Sequence, residues 1–319
     1  MVRTCLFRKK LLISKSIKPV VFKMKFGVLM FNWEPFSYNP KMYEQVTTKA
    51  EALGYDSFFV TDHFMRPHAE GKIEPKRHST LEAWSLLSYL ASKTKLIRLG
   101  TCVTPIPLRN PQILAKTVAT VDILSEGRVI LGVGPGWDQQ EFEAYGTWYD
   151  HAVRVEMTKE GVELIKKLWT QDVVNYEGKY YKAKNAVLEP KPVQSGGPPI
   201  WFGAIRDRML KLAAELGDGW IPGRAVGATL EHYAKSAPKL REYLNRLGKT
   251  KFTFGVMGYF IEKGASTALP AIGYIDEAVK LIEEYKKNGC EYLVASFFPV
   301  EKYMELMTRF WKEIVPSFS

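Results

Sequence analysis

Short apolar runs alternate with longer stretches of helical periodicity along nearly the whole chain. The apolar runs fall at 25–30, 57–61, 97–103, 128–133, 199–203, 218–221, 252–261 and 291–296. Several, such as KFGVLM and RVILGV, are apolar on both faces, as strands of a covered parallel sheet are. Helical patterns lie between them. Residues 41–53 end at Gly54, a residue suited to stopping a helix. Ser79 and Glu82 have the spacing of a capping box ahead of 80–93. Asn110 and Pro111 open 111–124 as N-cap and first helical residue, with Leu114, Val118 and Val121 on one face. Further helices are predicted over 153–169, 205–216, 229–247, 274–288 and 299–314. Eight strands, each followed by a helix, predict an α/β protein folded as a (β/α)8 TIM barrel, with a doubly wound sheet as the alternative.

The alternation lapses once, over 170–198. Val173 to Tyr181 read as a hairpin turning at Glu177-Gly178, followed by Pro190, Pro192, Pro198 and Pro199. This segment is expected to be an insertion between strands four and five. Nothing marks a domain boundary, so residues 24–319 read as a single domain.

Composition narrows the class. Apolar residues make up 46% and charged residues 25%, which excludes a disordered or fibrous chain. No apolar run is long enough to span a membrane. Cys5, Cys102 and Cys290 form no C-x-x-C pair and no disulfide framework, so a reducing cytoplasm is expected and a structural zinc site is not. The net charge of +11 suggests an anionic partner until it is located. Residues 1–23 hold seven Lys or Arg and no acid, which leaves +4 for the rest and disfavours nucleic acid as a partner. Those 23 residues read as a targeting segment, a basic arm, or an overlong gene model preceding a start at Met24. The last is the expectation, because the first strand begins directly after Met24.

In such a barrel, chemistry gathers at the C-terminal ends of the strands. That rule selects Asn32 and Trp33, Asp62-His63, Cys102 to Pro105, Gly132 to Trp137, Gly203-Ala204 with Arg206, and Trp220 with Pro222. Asp62-His63 is the best acid–base candidate, His63 as proton carrier or hydrogen-bond donor and Asp62 as its orienter or a ligand contact. Gly132-Val-Gly134-Pro-Gly136 lacks the dinucleotide-binding spacing, and reads either as a tight turn or as bare backbone for a flat ligand. Gly203-Ala204 opens a helix, where free N–H groups favour an anion and Arg206 adds charge; close strand-on-helix packing is the alternative. Cys102 has no partner that would mark a nucleophile. A metal cluster of Asp62, His63, His68 and His78 lacks the usual ligand spacings, so no metal is expected.

Taken in order, several segments resemble the luciferase-like superfamily of flavin- and F420-dependent oxidoreductases, over about 24–319. They are Ala52 to His63, Arg98 to Pro105, Arg109 to Arg128, Leu131 to Trp137, Pro190 to Gln194, Pro198 to Gly203 and Asp218 to Trp220. The resemblance implies a barrel with an insertion and a deazaflavin or flavin across its mouth. It implies a cis peptide at Cys102–Val103 behind the ring, Asp62 and His63 beside it, and His63 within reach of a substrate oxygen. Gly134, Pro135, Gly136 and Trp137 would line the cofactor, and Gly203, Ala204 and Ile205 would hold its phosphate. Many relatives have Gly-Gly where this chain has Gly203-Ala204, which bears on phosphate geometry. The implied activity is hydride transfer between coenzyme F420 and a small organic substrate, with an FMN-dependent monooxygenase as the alternative. A pterin, a secondary alcohol and an activated alkene are all open as substrates. Trp33, Phe36, Trp137, Tyr149 and Trp220 suggest an aromatic-walled pocket, and a homodimer follows by family analogy.

Overall fold

The computed structural model describes residues 23–33, 35–65, 79–223, 227–265 and 273–318. The expected extension before Met24 therefore lies outside the described residues, apart from Lys23, as do His68 and His78.

Eight parallel strands close on themselves. They are β1 (Lys25–Met30), β2 (Ser57–Val60), β3 (Arg98–Thr101), β4 (Val129–Gly134), β5 (Ile200–Phe202), β6 (Gly219–Trp220), β7 (Thr253–Ile261) and β8 (Tyr292–Phe298). Each pairs with the next, and β8 returns to β1 with Tyr292 beside Lys25. A two-residue continuation, Thr104–Pro105, extends the β3 side against β4. The expected barrel is present, with every predicted strand within a few residues of its place. Their two-sided apolar character has a direct cause: one face fills the barrel interior and the other meets the helical ring. Val28, Phe58, Leu99, Ile130, Ile200 and Val294 are all fully buried.

The outer layer follows the sequence signals where a local interaction enforces them. Helix α1 (Pro40–Leu53) stops at Gly54, whose φ of 99° only glycine adopts freely. Helix α2 (Ala83–Lys93) starts three residues later than expected, and the Ser79 capping box does not form. Residues 79–82 run extended instead: Thr80 bridges to Trp33, and the Leu81 N–H donates to the Asn32 carbonyl at 2.8 Å. Glu82 itself is the cap, accepting the Ser85 N–H at 2.6 Å. Helix α3 (Pro111–Leu124) has the predicted cap, with Asn110 Oδ1 accepting from the Ile113 N–H at 3.0 Å. Helix α4 (Gln139–Tyr145), capped by Asp138, is not legible in the periodicity because it has only seven residues. Helices α5 (His151–Thr170), α6 (Asp207–Leu216), α7 (Leu230–Arg246), α8 (Ala278–Lys287) and α9 (Tyr303–Arg309) complete the layer.

The insertion is a hairpin, Val174–Glu177 antiparallel to Lys182–Ala186. Its turn spans 178–181 rather than Glu177-Gly178, because Glu160 of α5 accepts the N–H groups of Lys179, Tyr180 and Tyr181 at 2.8–3.2 Å. Much of the sequence that carries the family resemblance is scaffold. Buried Asp122 accepts both the backbone and the side-chain N–H of Gln194, tying the end of the insertion to the barrel. The Arg128 guanidinium donates to the carbonyls of Ala91, Thr94 and Ile97, stitching α2 to β3. No helix among the described residues is long and apolar enough to cross a membrane.

Candidate functional site

The strand ends and the loops that follow them enclose a cavity of about 460 Å³ at the C-terminal mouth of the barrel. Its polar centre is built from three successive loops. After β1, fully buried Asn32 acts as a clamp: its Nδ2 donates to the carbonyls of His63 and Leu81, both at 2.7 Å. The Thr61 hydroxyl donates to Asn32 Oδ1 at 2.9 Å. The backbone of His63 is thereby fixed before its side chain is considered.

The imidazole of His63 lines the cavity between two indoles. Trp33 meets it edge-on at 5.1 Å and Trp137 at 5.8 Å between ring centroids. Its Nδ1 lies 2.9 Å from Oε2 of Glu141, on α4. The other Glu141 oxygen accepts the Phe64 N–H at 2.6 Å. Glu141 is 1% exposed, so this carboxyl group is withdrawn from bulk water and occupied on both oxygens.

Asp62 turns away from its neighbour. Arg109 Nε and Nη2 donate to its two oxygens at 2.9 and 2.5 Å, and the Thr104 hydroxyl adds a bond of 2.7 Å. The same guanidinium reaches Glu82 Oε1 at 2.7 Å and lies over the Phe64 ring. Burial alone would lower the Arg109 pKa; the two carboxylates outweigh it and push the pKa up. Asp62 thus lines the cavity with its carboxylate already committed, and the partner of His63 is Glu141 rather than Asp62.

The cavity floor is bare. The Cys102–Val103 peptide is cis. The Val103 side chain lies between Gly134 and Gly203, where added Cβ atoms would come within 2.9 and 3.1 Å of its methyl groups. Gly136 has a φ of +74°, and a Cβ there would overlap the Phe142 ring. Arg154 holds this turn from α5: it donates to the Gly136 carbonyl at 2.6 Å and stacks on Trp148. Burial of Cys102 pushes its thiol up to about 12, which leaves it no thiolate near neutral pH.

Across the mouth, the loop after β5 carries a different chemistry. Arg206 stands at the N-terminus of α6, whose first N–H groups have no side-chain cap. His151 faces the same region, and its pKa is lowered by burial and by the charges of Arg206, Arg154 and Arg208. His232 Nε2 donates to the Ile205 carbonyl at 2.8 Å and so fixes the loop.

Most of the expected site residues therefore share one cavity: Asp62, His63, Cys102, Val103, Gly134, Pro135, Gly136, Trp137, Gly203 and Ile205. Ala204 does not line it; it is fully buried, with its carbonyl accepting from Trp220 Nε1 at 2.7 Å. The expected aromatic wall is also revised. Trp33 and Trp137 line the cavity, but Phe36 and Trp220 are wholly in the core and Tyr149 lies outside the lining. Phe31, Trp148 and Tyr259 take their places. Glu141, Arg109, His151 and Arg154 were not legible as site residues, since each stands on a helix or in the loop before one, past the strand ends that the barrel rule selects. Asp138 as a cap signal, three residues ahead of Glu141, was the one available clue.

A closed parallel barrel with a glycine-floored cavity at its C-terminal mouth defines a class of ligand-binding (β/α)8 proteins. Within that class, the chain belongs to the luciferase-like monooxygenase family, which it matches over residues 24–269. The F420-dependent glucose-6-phosphate dehydrogenase of Amycolatopsis mediterranei is 34% identical over 217 residues, covering 67% of this chain and 62% of that protein. The chain thus matches less than two thirds of that relative's length. An F420-dependent secondary alcohol dehydrogenase, solved with an F420–acetone adduct, superposes with a TM-score of 0.79 at 22% identity, over 93% of this chain and all of that one. A riboflavin lyase solved with modified FMN superposes almost as well, at a TM-score of 0.78 and 14% identity over 92% of this chain and 91% of that one. The fold itself is therefore common to proteins of both cofactor types.

Proposed function

We propose that this protein is an F420-dependent oxidoreductase acting on a small organic substrate, with His63 as the residue that meets the substrate oxygen. The observation that carries this reading is the division of the cavity. One side presents His63 among apolar and aromatic walls, and the other presents Arg206, His151 and an uncapped helix N-terminus. A deazaflavin has the matching division, with a flat ring at one end and a phosphate with further carboxylates at the other. The residues fit it: Val103 lines the cavity between two glycines whose Cβ atoms would crowd it, and the α6 end supplies positive charge without a paired acid on Arg206 among the described residues. The F420-dependent relative at 34% identity favours F420 over FMN.

When bound, F420 supplies a carrier that gives or takes hydride. The remaining work falls to this chain. Val103, Gly134 and Gly203 would support the ring; Gly203, Ile205, Arg206 and His151 would hold the anionic tail. Ala204 would contribute backbone only, since its side chain is buried. Phe31, Trp33, Met257 and Tyr259 line the remaining wall and exclude water from the reacting centre. His63 holds or moves one proton at Nε2, with Nδ1 engaged by Glu141. Action as a homodimer in a reducing cytoplasm belongs to the same proposal, resting on family resemblance and cysteine usage.

The test is a titration of the full chain with F420 and with FMN, followed by the fluorescence of the cavity tryptophans. Tight F420 binding with weak FMN binding is expected; the reverse makes the FMN monooxygenase the better reading. His63→Ala is expected to retain F420 binding while losing turnover by about 10²–10⁴-fold, the usual worth of a general acid or base. Unchanged turnover would remove His63 from the mechanism.

A further inference from the structure

We infer that Glu141 is a positioning residue that fixes His63 in the tautomer protonated at Nδ1, so that Nε2 offers the cavity a lone pair. The argument starts from donors and acceptors. An ionised carboxylate can only accept hydrogen bonds. Glu141 Oε1 is the acceptor for the Phe64 N–H at 2.6 Å, with the Met65 N–H at 3.4 Å beyond it. Oε2 stands 2.9 Å from His63 Nδ1, so Nδ1 must carry the hydrogen there. Neutral imidazole has one N–H. Nε2 is then bare, and it has no hydrogen-bond partner among the described residues. The backbone of His63 cannot swing away to change the pairing, because Asn32 holds its carbonyl at 2.7 Å. Trp33 and Trp137 stand edge-on against the ring.

A bare Nε2 accepts. The group it selects is a substrate hydroxyl, which donates to it; a carbonyl oxygen would meet lone pair against lone pair. The cavity is thus arranged for an alcohol or hemiacetal, with the imidazolium formed on proton gain facing a buried carboxylate. This substrate class rests on the oxidoreductase reading above; the tautomer does not.

The same geometry predicts what an amide does in place of Glu141. In Glu141→Gln, the backbone N–H of Phe64 continues to demand an acceptor, which seats the Gln carbonyl at the Oε1 position. The amide NH2 then occupies the Oε2 position and donates to Nδ1. His63 must switch to the Nε2–H tautomer, and the cavity receives a donor in place of an acceptor. An equivalent carboxylate-to-amide change in a Ser–His–Asp triad lowers turnover about 10⁴-fold by imposing the wrong tautomer.

The experiment is ¹⁵N NMR of the ligand-free full chain, read at a pH where the imidazole is neutral, with the His63 signals assigned by their loss in His63→Asn. In the unsubstituted protein, Nδ1 is expected to appear as the protonated, pyrrole-type nitrogen and Nε2 as the bare, pyridine-type one. The opposite pattern overturns the inference before Glu141 is altered. Glu141→Gln is expected to exchange the two signals while the protein stays folded by circular dichroism; an unexchanged pattern also overturns it. In parallel, alcohol oxidation by this variant is expected to fall by at least about 100-fold with KM and F420 affinity within a few-fold. Turnover equal to that of the unsubstituted enzyme overturns the positioning role. A protein with the expected tautomer that neither binds nor uses F420 would refute the cofactor reading alone.

Discussion

Replacing Arg109 with methionine tests whether the Asp62 carboxylate is held by charge or merely by packing. Asp62 is 1% exposed at its side chain and Arg109 15%, so both charges sit largely out of water. The guanidinium supplies two of the three hydrogen bonds on that carboxylate; the Thr104 hydroxyl supplies the third. Methionine keeps much of the stem's bulk beside Phe64 and removes the charge. Asp62 is then a buried anion with one neutral donor, a state that costs about 3–5 kcal/mol. With an unfolding entropy of about 2.1 cal/mol/K per residue, a barrel of this length has roughly 0.6 kcal/mol/K, so the melting temperature should fall by roughly 5–8 °C. The assay is thermal unfolding of Arg109→Met, Asp62→Asn and the double variant. Most of the loss is expected to return in Asp62→Asn/Arg109→Met, because the unpaired charge is gone. A loss below about 1 kcal/mol in the single variant, or a double variant no better than it, would refute the account of Asp62 as a paired buried charge.

Other consequences can be measured separately. Gly136→Ala forces a Cβ into a φ of +74° and into the Phe142 ring, so a destabilisation of roughly 2–4 kcal/mol and weaker F420 binding are expected in a paired melting and titration experiment. His151 should titrate below its ordinary value of 6.5 by NMR, since burial and the neighbouring Arg206, Arg154 and Arg208 disfavour its charged form. Arg206→Ala should move that midpoint up, as should added inorganic phosphate; a midpoint indifferent to both would remove the anion role from this end of the cavity. Burial would raise the Glu82 carboxyl, but the Ser85 N–H and hydroxyl and the Arg109 guanidinium outweigh it and hold the pKa below 4.5. Its contribution to stability is therefore complete above about pH 4.5 and lost as pH falls through the depressed folded value. Melting temperature followed against pH should show a smaller acid-side fall in Glu82→Gln.

The strands were legible because the barrel makes both of their faces apolar, as in VILGV and YLVAS; a doubly wound sheet does the same, so the closure of the barrel was not written in them. Helix α3 was legible because its cap is local, three residues of chain with Asn110 bonded to Ile113. The capping box at Ser79 failed for a non-local reason: Trp33 and Asn32, some 47 residues earlier, hold 80 and 81 extended. The site divides in the same way. Asp62, His63, Val103, Gly134 and Gly203 were named because the barrel rule points to strand ends. Their partners were not, because the pairing of His63 with Glu141 spans 78 residues and that of Asp62 with Arg109 spans 47. Adjacency in sequence suggested that Asp62 would serve His63; the alternation of side chains along an extended segment sends the two to different partners.

The Asn32 clamp has an evolutionary consequence. One side chain accepts responsibility for the carbonyls at both His63 and Leu81, so the chain leaves the barrel rim and returns to it at a single point. Closure of whatever lies between is then paid for at the neck, and the cost of lengthening it rises only slowly, by about 0.6 kcal/mol for each doubling. Changes of length between Met65 and Ser79 leave both clamped carbonyls, and the Phe64 N–H that seats Glu141, where they are. A lineage carrying this amide can therefore change the length of that stretch while the imidazole stays where it is.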